Sequence, residues 1–390
     1  MQVLSNGKMT NEQPRRVDLA AGFSGEAITL DTPRQDYLYS YKDLSDHNPF
    51  ATLRDAEARL APGQCIAGFF AYEAALALEP SLSLPPAPLP LPAAWFGVFD
   101  ASRPLQGRSS GQPRPASVDQ DLPEQQYAEN AASVRTRIAA GDVFQVNISH
   151  RQTAYFEGEG RLLPSLPAEA ALSARYGARI DLGDAGILSA SPELFLSLES
   201  GTLTAEPIKG TRPRSSDPEE DAALLAELRA DPKDRAENIM IADLMRNDLA
   251  KVCADGSVHE PVICGARSLR AVHHLFSRIE GRLSEGKLFA DALAASFPCG
   301  SVTGAPKWAA MDAIADIEGE GRGPYCGSII YIEPHRAVAS VAIRTAVVDE
   351  ASRRVDVRSG GGVTILSDPH AEYQEALDKA YLFRSLTEVS

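Results

Sequence analysis

Strand-like segments in this chain come in consecutive groups, and that grouping narrows the fold more than any other feature of the sequence. Residues 186–198 and 201–208 run apolar or alternating, back to back, and read as an antiparallel pair. Residues 329–332, 337–348 and 355–358 form a second group. Helical spacing falls between and around them, over 127–140, 217–228, 233–249, 305–317 and 369–386. Asp231-Pro232 starts one of these helices, and Ser367 or Asp368 caps the last. A doubly wound parallel sheet needs strand and helix to alternate one for one. The expected class is therefore α+β, a layered fold.

The N-terminal third has a different texture. Residues 1–16 are polar and expected to fray, 46–60 have helical spacing, and 68–72 read as buried sheet or helix edge. Six prolines between Pro80 and Pro92 predict an extended connection, followed by a strand over 95–100. Residues 102–122, rich in Ser, Gly, Pro and Gln, read as a linker. The division falls there: 1–122 contributes to the sheets and carries the linker, and 123–390 is the region, within what reads as one compact unit, that holds the candidate catalytic residues taken up below.

A net charge of −15 argues against nucleic-acid or anionic-membrane partners, which need a basic surface, but leaves a small anionic substrate open. Five cysteines, odd in number, scattered and never in a C-x-x-C pair, argue against disulfides or zinc and for a reducing cytoplasm. Residues 1–23 lack the apolar core of a signal peptide. The most apolar window, 65–78, is too short to span a membrane and carries Glu73.

Several residues could carry chemistry. Lys209 sits in Pro207-Ile208-Lys209-Gly210-Thr211, where Pro207 fixes one φ and Gly210 permits a conformation closed to other residues. Such a lysine is either a turn ornament or a positioned amine. Asp234 and Glu237 lie three apart at one helix start, and Glu372 and Glu375 repeat the spacing on the last helix. These acids either complement helix dipoles or face a common hard cation such as Mg²⁺. Ser359-Gly360-Gly361-Gly362 before that helix reads as a loop, either flexible or converging its N–H groups on an anion, with Lys379 on the same helical face as Glu375. Arg344 lies inside an apolar run and needs an anionic partner, from the protein or from a substrate. Glu193 and the pair His273-His274 are candidate acid–base groups.

Together these segments resemble the chorismate-utilising enzymes. The likeness runs from about residue 125 to the end: Gln145-Val146-Asn147, Ser191-Pro192-Glu193, 207–211, 231–252, 271–275, 297–307, Cys326-Gly327-Ser328, Ile343-Arg344-Thr345 and 360–379. It implies two packed antiparallel sheets surrounded by helices. It also implies Mg²⁺ held by Glu237 and Glu375, with Asp234 and Glu372 in support, and chorismate carboxylates met by Arg344, Tyr325, Gly361, Gly362 and Lys379. By the same likeness Glu193 is the general acid–base, His274 orients a substrate hydroxyl, and Thr303 is a further contact.

Anthranilate-forming members carry alanine where this chain has Lys209, and isochorismate- or salicylate-forming members carry lysine at the place of Gln145. The combination of Gln145 and Lys209 resembles the members that aminate chorismate at C4. That implies a covalent role for a neutral Lys209, with its pKa depressed by an apolar site and nearby cations. No glutaminase elbow is present in the sequence. The ammonia is therefore expected from a separate glutamine amidotransferase subunit, and with no fused lyase expected, 4-amino-4-deoxychorismate would pass onward to p-aminobenzoate and folate. One departure from the family pattern is Cys299, where a small Gly or Ala is usual.

Overall fold

The computed structural model describes residues 15–100, 102–105, 115–120, 123–269 and 272–387. Their strands form two ten-stranded sheets in which every pairing is antiparallel. The first sheet runs Gly304–Ala305, Gln145–Phe156, Arg354–Val363, Thr345–Asp349, Ala185–Ser191, Tyr176–Asp181, Arg16–Leu19, Ile28–Asp31 and Arg103–Pro104. The second runs Ile208–Pro213, Val272–Arg282, Thr202–Glu206, Leu194–Glu199, Arg336–Val341, Ser328–Glu333, Cys65–Phe70, Ala94–Phe99 and Gln35–Tyr39. Pro115–Gln120 adds to Gln145–Phe156, and His259–Ser268 to Val272–Arg282. The α+β class and the paired sheets are as expected.

Strand alternation explains the layers. In Cys65–Phe70 every residue is buried: Cys65, Ala67 and Phe69 enter a core shared with Val17, Leu30, Ile180 and Ile187 of the first sheet. Ile66 and Phe70 enter the opposite core with Phe50, Phe289, Phe297 and Ile241 from covering helices. Helices Glu124–Ala140, Lys307–Glu318 and Pro369–Lys379 pack on the first sheet, and Pro232–Ala250 packs on the second. Among the described residues no helix is long and apolar enough to cross a membrane.

Several expected elements change. The run 186–198 is not one strand: it breaks at Pro192-Glu193, and its halves belong to different sheets. The run 337–348 breaks in the same way at 342–344, where Arg344 takes a φ of 52°. The two crossings lie side by side, with Val341 N donating to Glu193 O at 3.2 Å and Ala190 N to Arg344 O at 2.9 Å. Apolar periodicity cannot reveal such a switch, because both halves are buried. Ser359-Gly360-Gly361-Gly362 is strand rather than loop, and Gly360 pairs with Ser149. A Cβ on Gly360 would stand 2.0 Å from Ile148 O, so close backbone approach is what requires glycine there. The linker expectation is also corrected, since the described parts of 102–122 include two paired strands; the remainder, like residues 1–14, lies outside the described residues. The final helix is two, Pro369–Lys379 and Tyr381–Thr387.

Candidate active site

A cavity of about 130 Å³ opens where the sheet crossings meet the starts of the two acidic helices. That is the scale of a cavity that holds one six-membered ring. Each sheet brings its own chemistry. Lys209 stands on Ile208–Pro213 next to a bulge, because the register with Val272–Arg282 slips between Lys209 and Thr211, and Gly210 takes a φ of 77°. A Cβ on Gly210 would lie 2.8 Å from the Asp234 carboxyl carbon, so glycine also lets that helix start come close.

The helix Pro232–Ala250 is capped by Asp231, which accepts from Lys233 N and Asp234 N, and this turns Asp234 and Glu237 toward the cavity. The helix Pro369–Lys379 is capped by Asp368, while Ser367 Oγ donates to Glu372 Oε1 at 2.7 Å. All four acids line one space, but they do not converge. Lys233 Nζ bonds Glu372 Oε1 at 2.7 Å and lies 3.9 Å from Glu237 Oε1. Asp234 pairs with Arg212 at 3.1 Å, and Glu375 with Lys379 at 2.7 Å. Among the described residues no three His, Cys, Asp or Glu side chains are grouped to hold a metal ion. Glu237 Oε1 nevertheless is buried without a hydrogen-bond partner, and the donors are hard carboxylate oxygens, which suits a hard divalent cation.

The electrostatics separate the carboxyls into roles. Burial pushes Glu193 above the usual carboxylate range, although Ser301 and the Lys209 charge oppose it. Burial likewise raises Glu237 against Lys209 and Lys233. Glu375 is held low, chiefly by the Lys379 charge. Glu193, Glu237 and Glu375 all feel the Lys209 amine, so the apolar surrounding expected for that lysine is not what the fold builds. Its neighbours are acids. His274 is pushed down to about 4 by burial and by Arg267, Arg344 and Arg175, which keeps the imidazole neutral. Its Nε2 is buried without a partner and the ring lines the cavity.

Most residues singled out in the sequence therefore meet. Lys209, Glu193, His274, Arg344, Tyr325, Gly362, Lys379 and the four acids all line the cavity. Gly361 and Thr303 do not. Thr303 is fully buried and donates to Cys299 O at 2.8 Å, while Gly361 backs Glu372, whose Oε2 would stand 3.1 Å from its Cβ. His273 faces elsewhere, between Ser268 and Asp221. Sequence reasoning passed over Lys233, Ser301 and Arg358, which also line the cavity. The position of Lys233 directly before Asp234 was the available signal for the first, and the place of Ser301 in the matching segment 297–307 for the second; Arg358 had none.

Comparison with known proteins follows this geometry. The family model described as chorismate binding enzyme matches residues 8–385. Aminodeoxychorismate synthase component 1 of Klebsiella aerogenes is 40% identical over 261 residues, covering 66% of this chain and 57% of that protein. Anthranilate synthase component 1 of Streptomyces coelicolor is 38% identical over 299 residues, covering 75% and 56%. The chain thus spans little more than half the length of these curated relatives. The crystal structure of anthranilate synthase component I from Streptococcus pneumoniae superposes with a TM-score of 0.77 at 25% identity, covering 99% of this chain and 95% of that one. The chain belongs to the chorismate binding enzyme family.

Proposed function

We propose that this chain is an aminodeoxychorismate synthase component I, which aminates chorismate at C4 with ammonia to give 4-amino-4-deoxychorismate. The observation that carries this reading is the Lys209 amine, set on a bulged strand at the cavity and facing Glu193.

In this reading the Lys209 ammonium first passes a proton to the Glu193 carboxylate that it faces, and the lone pair so freed forms a bond to C2. The C1–C2 double bond shifts to C1–C6, the C5–C6 double bond shifts to C4–C5, and the C4–oxygen bond breaks. Glu193, kept protonatable by its burial, donates the proton with which the hydroxyl leaves as water. Ammonia then attacks C4, the double bonds return, and the C2–nitrogen bond to Lys209 breaks. Glu193, now a carboxylate, takes the proton released from the new amine. Arg344 and Lys379 meet substrate carboxylates, and neutral His274 offers Nε2 to a substrate hydroxyl. Glu237 and Glu375 would hold Mg²⁺, with Asp234 and Glu372 in support, in place of the Lys233 contacts. Bound there, the ion would neutralise the ring carboxylate of chorismate. Ammonia would come from a glutamine amidotransferase subunit, consistent with the "component 1" in the relatives' names.

The test is product identification with chorismate, Mg²⁺ and an ammonium salt. Formation of 4-amino-4-deoxychorismate, lost in Lys209→Ala, is the expected result; full amination by that variant would remove Lys209 from the chemistry. The second reading is anthranilate synthase component I, favoured by relatives at nearly equal identity. Fluorescent anthranilate as the product would establish it.

A further inference from the structure

Arg212, Lys379 and Lys233 each pair with one of the four cavity acids, and they hold them differently. Arg212 is anchored from several sides: besides Asp234 at 3.1 Å it pairs with Glu227 at 2.8 Å and Asp231 at 3.1 Å. Lys379 stays beside its own helix, bonding Glu375 one turn back at 2.7 Å and Gly360 O at 3.2 Å. Lys233 reaches across. The Asp231 cap sets it in the first turn of Pro232–Ala250, four residues before Glu237 and on the same face. Its Nζ lies 3.9 Å from Glu237 Oε1 on that helix and donates to Glu372 Oε1 on the other at 2.7 Å.

The two carboxylates are enclosed and the lysine is not. The Lys233 side chain is 37% exposed, against 12% for Glu237 and 4% for Glu372. A flexible four-carbon stem with a strongly hydrated head can swing out to water, and the buried acids cannot. Glu372 Oε1 also accepts from Ser367 Oγ at 2.7 Å, so that oxygen keeps a donor when the lysine leaves. Glu237 Oε1 is buried without a hydrogen-bond partner, and the ammonium is too far away to supply one. The amine thus sits between the helix carrying Glu237 and the helix carrying Glu375, the two expected metal ligands. Two cations cannot share that gap, because like charges this close repel strongly where water is scarce. We propose that Lys233 is a competing internal cation, which bridges the two acidic helices until Mg²⁺ displaces it and thereby sets the metal affinity of the site. The proposal rests on the metal role given to these acids above.

The experiment is calorimetric titration of Mg²⁺ alone into the EDTA-treated full chain, with no chorismate and no turnover. Lys233→Met keeps most of the stem and removes the charge. It should bind Mg²⁺ about tenfold more tightly, the scale of one charge-assisted hydrogen bond that no longer has to break. Lys233→Arg keeps a cation in place and should bind no more tightly than wild type. Displacement itself is read on the wild-type chain, by acetylation with an N-hydroxysuccinimide ester and peptide mass spectrometry. Mg²⁺ should raise the labelling rate of Lys233 severalfold relative to the exposed Lys287. Equal or weaker Mg²⁺ binding by Lys233→Met, or Lys233 labelling that Mg²⁺ leaves unchanged or slows, overturns the proposal. Glu237→Gln separates the two levels of inference. If it loses the ion that wild type binds while Lys233→Met gains nothing, the metal reading stands and the Lys233 role falls. If it binds Mg²⁺ as wild type does, or if neither wild type nor Lys233→Met takes up the ion, both fall.

Discussion

Glu206 closes the strand Thr202–Glu206, three residues before Lys209, and a single carboxylate there holds three arginines. Arg175 donates at 3.1 Å, Arg267 at 3.1 and 3.2 Å, and Arg278 at 2.9 and 2.5 Å. Burial alone would raise this carboxyl, but Arg267 and Arg278 outweigh burial and bring it from 4.5 down to about 2. At about 1.36 kcal/mol per pH unit, that difference is worth roughly 3 kcal/mol of folding stability. It is a ceiling, because Arg175 and Arg278 are 45% and 38% exposed and partly screened by water. The sign follows from a depressed carboxyl. The stabilisation is complete above about pH 4.5 and is lost as pH falls toward about 2. Glu206→Gln should therefore lower the urea-unfolding free energy at pH 7 by about 2–3 kcal/mol. It should also flatten the acid side of the stability curve relative to wild type. A loss below about 0.5 kcal/mol, or acid curves that fall in parallel, would show that the three arginines do not act through the Glu206 charge.

Further outcomes follow from other sites. Arg322 is buried against Glu318 at 2.6 Å and also caps Val302 O, so Arg322→Met should cost about 3 kcal/mol by leaving the buried Glu318 carboxylate with only the more distant Arg358, at 3.5 Å, and the Ser149 hydrogen bonds; a loss under about 1 kcal/mol in urea unfolding would refute the pairing argument. Gly360→Ala places a Cβ 2.0 Å from Ile148 O and should cost about 3 kcal/mol or more. Gly361→Ala meets only the movable ends of Glu372 and Lys379 and should cost about 1 kcal/mol or less, and equal melting shifts would contradict this contrast. The His274 imidazole should titrate near 4, so its ring signals in NMR should stay constant between neutral pH and about pH 5.5; a midpoint near 6.5 would mean an open, solvated ring.

The candidate site was legible in the sequence to the extent that local chemistry fixed it. A proline and a glycine around Lys209 announced a stiff turn, and caps at Asp231 and Asp368 placed two acidic pairs at helix starts. Each of those signals lies within a few residues, where φ restrictions and orphan N–H groups act. The α+β class was readable for the same reason, since apolar periodicity is a local property of each element.

What the tertiary structure decided is which of these local pieces face one another. Glu193 and Arg344 reach the cavity because two apolar runs that read as continuous strands change sheets side by side. The glycines before the last helix proved to be a tight strand ladder rather than an anion loop, a distinction made by Ile148 O at a distance no residue in between records. Lys209 met carboxylates rather than an apolar wall, because the two acidic helices come from opposite sheets and start at the same opening. The sequence alone determined the amine, the acids and the elements that carry them. Only the packing of two sheets against each other decided that they share a site, because long-range contacts follow from burial of whole faces and not from any residue's own preference.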